Sequence, residues 1–164
     1  MRRTALRAVQ GLSRVVQRIW KRCRLARKHK PLILVLTHSP QAKLAVRLAF
    51  LQEDWDYVIT TCLGDTLKVL EKSRVETVIY DMDSGEAQWH DLCRAVVAGG
   101  ACFYLIADVP NDDLFLSVIG AGGSGVLWKP VTSEQFVGAM HLARTVADEH
   151  LLDHAHHVLP RSLE

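Results

Sequence analysis

The chain has 164 residues, 49% of them apolar, which suits one domain with a real core and short extensions. No apolar run reaches the roughly 18 residues of a membrane-spanning helix, so the expectation is a soluble or peripheral protein. The net charge of +2 conceals an asymmetry: residues 1–30 carry eleven Lys/Arg and no acid, whereas residues 31–164 carry nine Lys/Arg against eighteen Asp/Glu, which implies an anionic partner for the first segment.

In residues 1–30, Leu6, Val9, Leu12, Val16, Ile19, Trp20 and Cys23 recur every three or four positions. Arg7, Arg14, Arg18 and Lys21 fall opposite them. This is a helical period with an apolar stripe and a cationic face, and it predicts an amphipathic helix over residues 3–28 standing apart from the following domain. Pro31 ends it, because the residue before a proline is disfavoured in helix. An Arg-rich, acid-free start also fits an organelle transit peptide, although such peptides favour serine and this segment has only Ser13.

Leu32-Ile33-Leu34-Val35-Leu36 reads as a strand covered on both faces. Ser39-Pro40 supplies an N-cap and first helical residue, and the helix continues through Leu44, Ala45, Leu48, Ala49 and Leu51. Residues Tyr57 to Thr60 read as a strand and Asp65 to Lys72 as a helix. Val75 to Tyr80 form a third strand that ends at Asp81. Trp89 to Val97 form a helix stopped by Gly99-Gly100. Ala101 to Ala107 read as a strand, Asp112 to Ile119 as a helix, and Val126 to Trp128 as a short strand. A last helix starts at Thr132, with Gln135 in capping-box position. Strands separated by helices predict an α/β, doubly wound, five-stranded parallel sheet with helices on both faces.

The four cysteines, Cys23, Cys62, Cys93 and Cys102, show neither CxxC nor zinc spacing and read as free thiols of a reducing cytosol. The glycines from Gly120 to Gly125 lack the phosphate-loop pattern and precede a strand, so they read as a helix stop and turn. Residues 148–164 form a His-rich extension. On a helix, His150, Asp153, His154 and His157 would share one face at metal-ligating spacing, although a solvated extension is the plainer reading. Trp89 and Trp128 read as surface-contact aromatics.

Val78-Ile79-Tyr80-Asp81 followed by Leu92-Cys93-Arg94, and Ala121-Gly122 followed after a short spacer by Leu127-Trp128-Lys129-Pro130, resemble the receiver domain of two-component response regulators, the CheY-like domains. The resemblance covers residues 31–147. It implies a flavodoxin-like fold in strand order 2-1-3-4-5, with the site at the carboxyl ends of the strands. It further implies that Asp81 is equivalent to the phosphoacceptor and Lys129 to the family's lysine after strand five. The family's acidic pair is replaced by Thr37 and His38, its Thr/Ser after strand four by Ile106, and its aromatic reporter by Val126. The Pro and Gly expected after the phosphoacceptor fall on Gly85 and Trp89. The resemblance is therefore to a degenerate, atypical form, a pseudo-receiver.

Magnesium takes mainly carboxylate and water oxygens, and isoleucine cannot donate to a phosphoryl oxygen. Leaving that oxygen unpaired costs about 1–3 kcal/mol. The expectation is no cofactor and no magnesium-dependent phosphorylation, with Asp81 paired to Lys129. Two other readings stay open: a pocket of His38, Asp81 and Lys129 for another anion, and residual phosphoacceptor function.

The function expected is a non-enzymatic signalling or scaffold module that binds protein partners through residues 1–30 and the last two helices, with a homodimer also open. The alternative is a stand-alone response regulator phosphorylated on Asp81 by a histidine kinase, with magnesium bound. A flavin-binding enzyme on the same sheet is more distant. A protein groove suits both faces of the N-terminal helix. An anionic membrane surface suits an interfacial helix, and nucleic acid suits the charge but not the stripe. The expected location is cytoplasmic, with peripheral contact at the inner membrane surface.

Overall fold

A computed structural model of the chain describes residues 30–51, 53, 55–84, 89–143 and 145. The N-terminal amphipathic helix and the His-rich extension with His150, Asp153, His154 and His157 lie outside the described residues. Five strands form one parallel sheet: β1 (Leu32–Leu36), β2 (Asp56–Thr60), β3 (Thr77–Asp81), β4 (Cys102–Ala107) and β5 (Gly125–Trp128). Their order is β2-β1-β3-β4-β5, as the resemblance to receiver domains implies. The crossovers are α1 (Pro40–Phe50), α2 (Leu63–Lys72), α3 (Trp89–Ala98) and α4 (Asp112–Gly120), and α5 (133–143) follows β5. Among the described residues no helix is long and apolar enough to cross a membrane.

The sheet is buried on both faces, which explains why its strands are continuous apolar runs. On one face Ile33, Val35, Ile79, Tyr104 and Ile106 pack against α1 and α5 through Val46, Phe136 and Met140. On the other, Leu34, Leu36, Val78, Tyr80, Phe103 and Leu105 pack against α2, α3 and α4 through Leu70, Val96 and Val118. Alternate residues of each strand thus serve alternate layers.

Local chemistry sets the helix ends. Ser39 caps α1 by accepting from the Ala42 N–H at 3.3 Å, with Pro40 at the first helical position. Asn111 caps α4, its side-chain oxygen accepting from the Asp113 and Leu114 N–H groups. The capping box at α5 is closed in both directions: the Thr132 N–H donates to Gln135 Oε1 at 3.0 Å and the Gln135 N–H to Thr132 Oγ1 at 3.3 Å. After α4, Gly122 takes a positive φ of 90°, and Gly123 comes so close to Val118 that an added Cβ would stand 2.6 Å from its Cγ1.

Two sequence expectations are corrected. On α1 the inward face is Ala42, Ala45, Val46, Ala49 and Phe50, while Leu44, Leu48 and Leu51 face solvent. The small residues let the helix approach the sheet closely, and the leucines are left outside. Trp89 is no surface aromatic: it is buried against the α3 layer and stacks on the exposed His90 with ring centroids 3.5 Å apart.

Candidate functional site

The parallel register carries Thr37, His38, Asp81, Ile106 and Lys129 to one end of the sheet, where β1, β3, β4 and β5 terminate. Asp81 ends β3 on the face shared with Ile79, and Ile106 is its ladder partner on β4. Asp81 is fully buried. One of its oxygens, Oδ2, accepts the Thr37 hydroxyl at 2.6 Å. The other, Oδ1, accepts the Asp83 N–H at 3.2 Å and lies 3.1 Å from the Lys129 ammonium.

Thr37 is placed by the backbone: its N–H extends the ladder to the Thr60 carbonyl at 3.0 Å, and its hydroxyl oxygen accepts the Ser39 N–H at 3.0 Å. The next residue, His38, is exposed. In this extended stretch, successive side chains point opposite ways, so of the two positions equivalent to an acidic pair only Thr37 turns inward. The structure brings Thr37, Asp81, Ile106 and Lys129 together and leaves His38 on the surface.

Lys129 follows β5, its N–H donating to the Ala107 carbonyl at 2.9 Å, ahead of a cis Lys129–Pro130 peptide bond. Besides Asp81, its ammonium meets Asp108 Oδ1 at 2.9 Å and also Asp83. Burial pulls the Lys129 ammonium down, but the hydrogen bonds it donates to Asp83, Asp108 and Asp81 outweigh it and hold the group above its ordinary value. Its hydrogen bond in turn holds the Asp108 carboxyl below the usual carboxylate range.

Asp108 is the site residue that sequence reasoning missed. The resemblance takes Ile106 from strand four and passes over the acid one position beyond the strand end at Ala107. The rule that ligand groups gather at the carboxyl ends of parallel strands was the signal that could have found it. Val126 is half-buried and packs against the core layer that holds Phe103, Leu105 and Val118. No aromatic ring stands at that position.

The donor set does not fit a magnesium ion. The Thr37 hydroxyl is committed to Asp81, His38 faces outward, and both Asp81 oxygens are engaged within the chain. Among the described residues no group of three His, Cys, Asp or Glu side chains is arranged to hold a metal. Ile106 is wholly buried in the α1–α5 layer and offers no hydroxyl beside the carboxylate.

Solved structures of the same architecture were compared with this geometry. One is the signal receiver domain of a protein described as a Luxo repressor, from Vibrio parahaemolyticus. It is 17% identical, with a TM-score of 0.67 over 76% of this chain and 97% of that one. A response regulator from Thermotoga maritima is also 17% identical, with a TM-score of 0.63 over 70% of this chain and 98% of that one. The fold is that of a response-regulator receiver domain. A further match is a protein described as the CpaE2 pilus assembly protein, from Sinorhizobium meliloti. It is 20% identical, with a TM-score of 0.57 over 68% of this chain and 98% of that one. No protein-family model matches the sequence, and no curated protein does. The receiver fold therefore rests on the structure.

Proposed function

We propose that this chain is an atypical receiver-like module that works by binding protein partners, without magnesium-dependent phosphorylation of Asp81. The observation that carries the reading is the state of Asp81: a fully buried carboxylate with one oxygen held by the Thr37 hydroxyl and the other by Lys129. A phosphoacceptor must present an oxygen to an incoming phosphoryl group, with a cation to offset its charge. Here both oxygens are already partnered from within the chain. Lys129 is shared among three carboxylates, and Ile106 stands where a hydroxyl would meet the phosphoryl oxygens. Thr37, Asp81 and Lys129 form a closed structural cluster, with Ile106 as its apolar wall, while Val126 packs on the other face of the sheet.

In this reading residues 31–147 form the module, residues 1–30 and the last two helices, α4 and α5, contact protein, and residues 148–164 are a His-rich extension of the chain. The pilus-assembly protein of similar fold supports a use of this architecture in a protein not named as a response regulator. The retained pair Asp81–Lys129 favours one competing reading, a stand-alone regulator phosphorylated on Asp81. One experiment separates the two. The full chain is incubated with acetyl phosphate and magnesium, and its intact mass is measured. The expected result is no phosphoryl increment. An increment that disappears in Asp81→Asn would establish the competing reading.

A further inference from the structure

The helix α4 is short of buried surface. Of its nine residues Asp112–Gly120 only Val118 is buried, while Phe115, Leu116 and Ile119 are exposed, Leu116 to 64%. They stand at i, i+1 and i+4 and form one apolar strip. Its first turn carries Asp112 and Asp113, neither of which has an ion-pair partner among the described residues. An apolar strip headed by unpaired acids complements residues 1–30 of the same chain, which carry an apolar stripe and eleven Lys/Arg with no acid.

The exposed leucines of α1, namely Leu44, Leu48 and Leu51, offer a second apolar strip, but charge decides against it. Lys43 and Arg47 lie within that helix and would repel a cationic segment. Position is compatible with α4. The segment enters the domain at Lys30, just before β1, at the end of the sheet where α4 finishes at Gly120 and β5 begins at Gly125. Only β3 separates β1 from β4, so the lateral distance is about 10 Å. Three or four extended residues cover it.

We infer that the strip formed by Phe115, Leu116 and Ile119 is the docking site of the chain's own residues 1–29, bound in cis, with their cationic side chains meeting Asp112 and Asp113. The inference rests on the reading that α4 is a protein-binding face, and it names the occupant of that face in the free chain.

The test uses the full chain as an equal mixture of heavy-isotope-labelled and unlabelled protein. Zero-length carbodiimide coupling, followed by peptide mass analysis, should join Lys21 to Asp112 or Asp113 within single-label chains. Trypsin cleavage after Arg14 and Arg18 should be about tenfold slower than in Leu116→Glu with Ile119→Glu, because cleavage follows the population of the undocked segment. Both substituted positions are exposed, so the double variant should still unfold in one cooperative transition, its midpoint lowered only by the lost docking. Ala substitution of Asp112 and Asp113 should also speed cleavage, a second variant that leaves the strip intact. Couplings only between differently labelled chains would overturn the inference in favour of a second copy. Couplings to Glu53 or Asp56 instead, beside α1, would overturn it in favour of the other strip. Cleavage rates unchanged in both variants would overturn it outright. None of these results bears on phosphoryl transfer to Asp81, so failure here and failure of the proposed function are told apart by the acetyl phosphate experiment.

Discussion

Thr37 donates its hydroxyl hydrogen to Asp81 across 2.6 Å, and both residues are fully buried. A neutral side chain thus occupies one of the two positions at which the receiver fold is expected to carry acids. It stabilises the very carboxylate that a second acid would repel. With this internal donor the Asp81 oxygen is satisfied by the chain itself.

Thr37→Val keeps the shape but removes the donor, leaving a buried carboxylate oxygen unpaired at a cost of about 1–3 kcal/mol. Denaturant titration should show a lower midpoint at unchanged m-value, and Thr37→Ser should recover most of the loss. A Thr37→Val protein as stable as wild type would mean that the Asp81 oxygen finds another donor.

Lys129→Met removes the ammonium shared by Asp81, Asp83 and Asp108 and should destabilise the chain by about 3 kcal/mol at neutral pH, since it strands a buried charge. Asp81→Asn in the same protein should recover part of that. The pH dependence follows from two opposite shifts. Asp108 is depressed, so its contribution is complete above the ordinary carboxylate pKa and disappears as pH falls through its own lower value. Lys129 is raised, so its contribution is complete below the ordinary lysine pKa and disappears only as pH rises beyond it. The stability difference between wild type and Lys129→Met should therefore be flat across neutral pH and shrink in acid. Thermal melts across that range check it; a difference that grew in acid would contradict the assignment.

Thiol chemistry offers a separate check on the packing. Cys62 is exposed, whereas burial pushes the Cys93 thiol up to about 11. Native protein should be labelled rapidly at Cys62 and at Cys93 only on unfolding, read by peptide mass. A raised thiol pKa also stabilises the fold only below the ordinary thiol value, near ~8.5. Stability should thus decline as pH rises from there toward about 11, and Cys93→Ala should remove that part of the decline.

The sheet was legible because each strand is a short apolar run and each crossover contains a helix, which leaves few ways to connect the elements. The convergence of Asp81 and Lys129 followed from that topology. What the sequence concealed was tertiary. Helix α1 carries two apolar stripes, and the sheet selected the alanines over Leu44, Leu48 and Leu51, a choice made by close approach rather than by hydrophobicity. Leu63 begins α2 two residues before Asp65, the start expected from sequence, because Cys62 caps it without a side-chain bond and leaves no sequence signal. Asp108 was hidden because it stands just past a strand end, where only the neighbouring Lys129 gives it a role.

The final prediction restores what the site lacks. Ile106→Thr alone should cost about 1 kcal/mol or more, because it trims a wholly buried side chain in the α1–α5 layer and buries a hydroxyl in its place. Thr37→Asp alone should cost more, since it sets a second carboxylate beside Asp81 with only Lys129 to offset them. Combined with His38→Asp, the three substitutions supply the acids, the hydroxyl and the excess negative charge that a divalent cation neutralises. The triple variant should be less stable than wild type without magnesium and should gain thermal midpoint as magnesium is added, while wild type shows no such gain. With acetyl phosphate it should also acquire a phosphoryl mass increment that Asp81→Asn abolishes. A triple variant indifferent to magnesium would show that the strand ends here no longer hold the receiver geometry, and that more than side-chain identity separates this site from a working one.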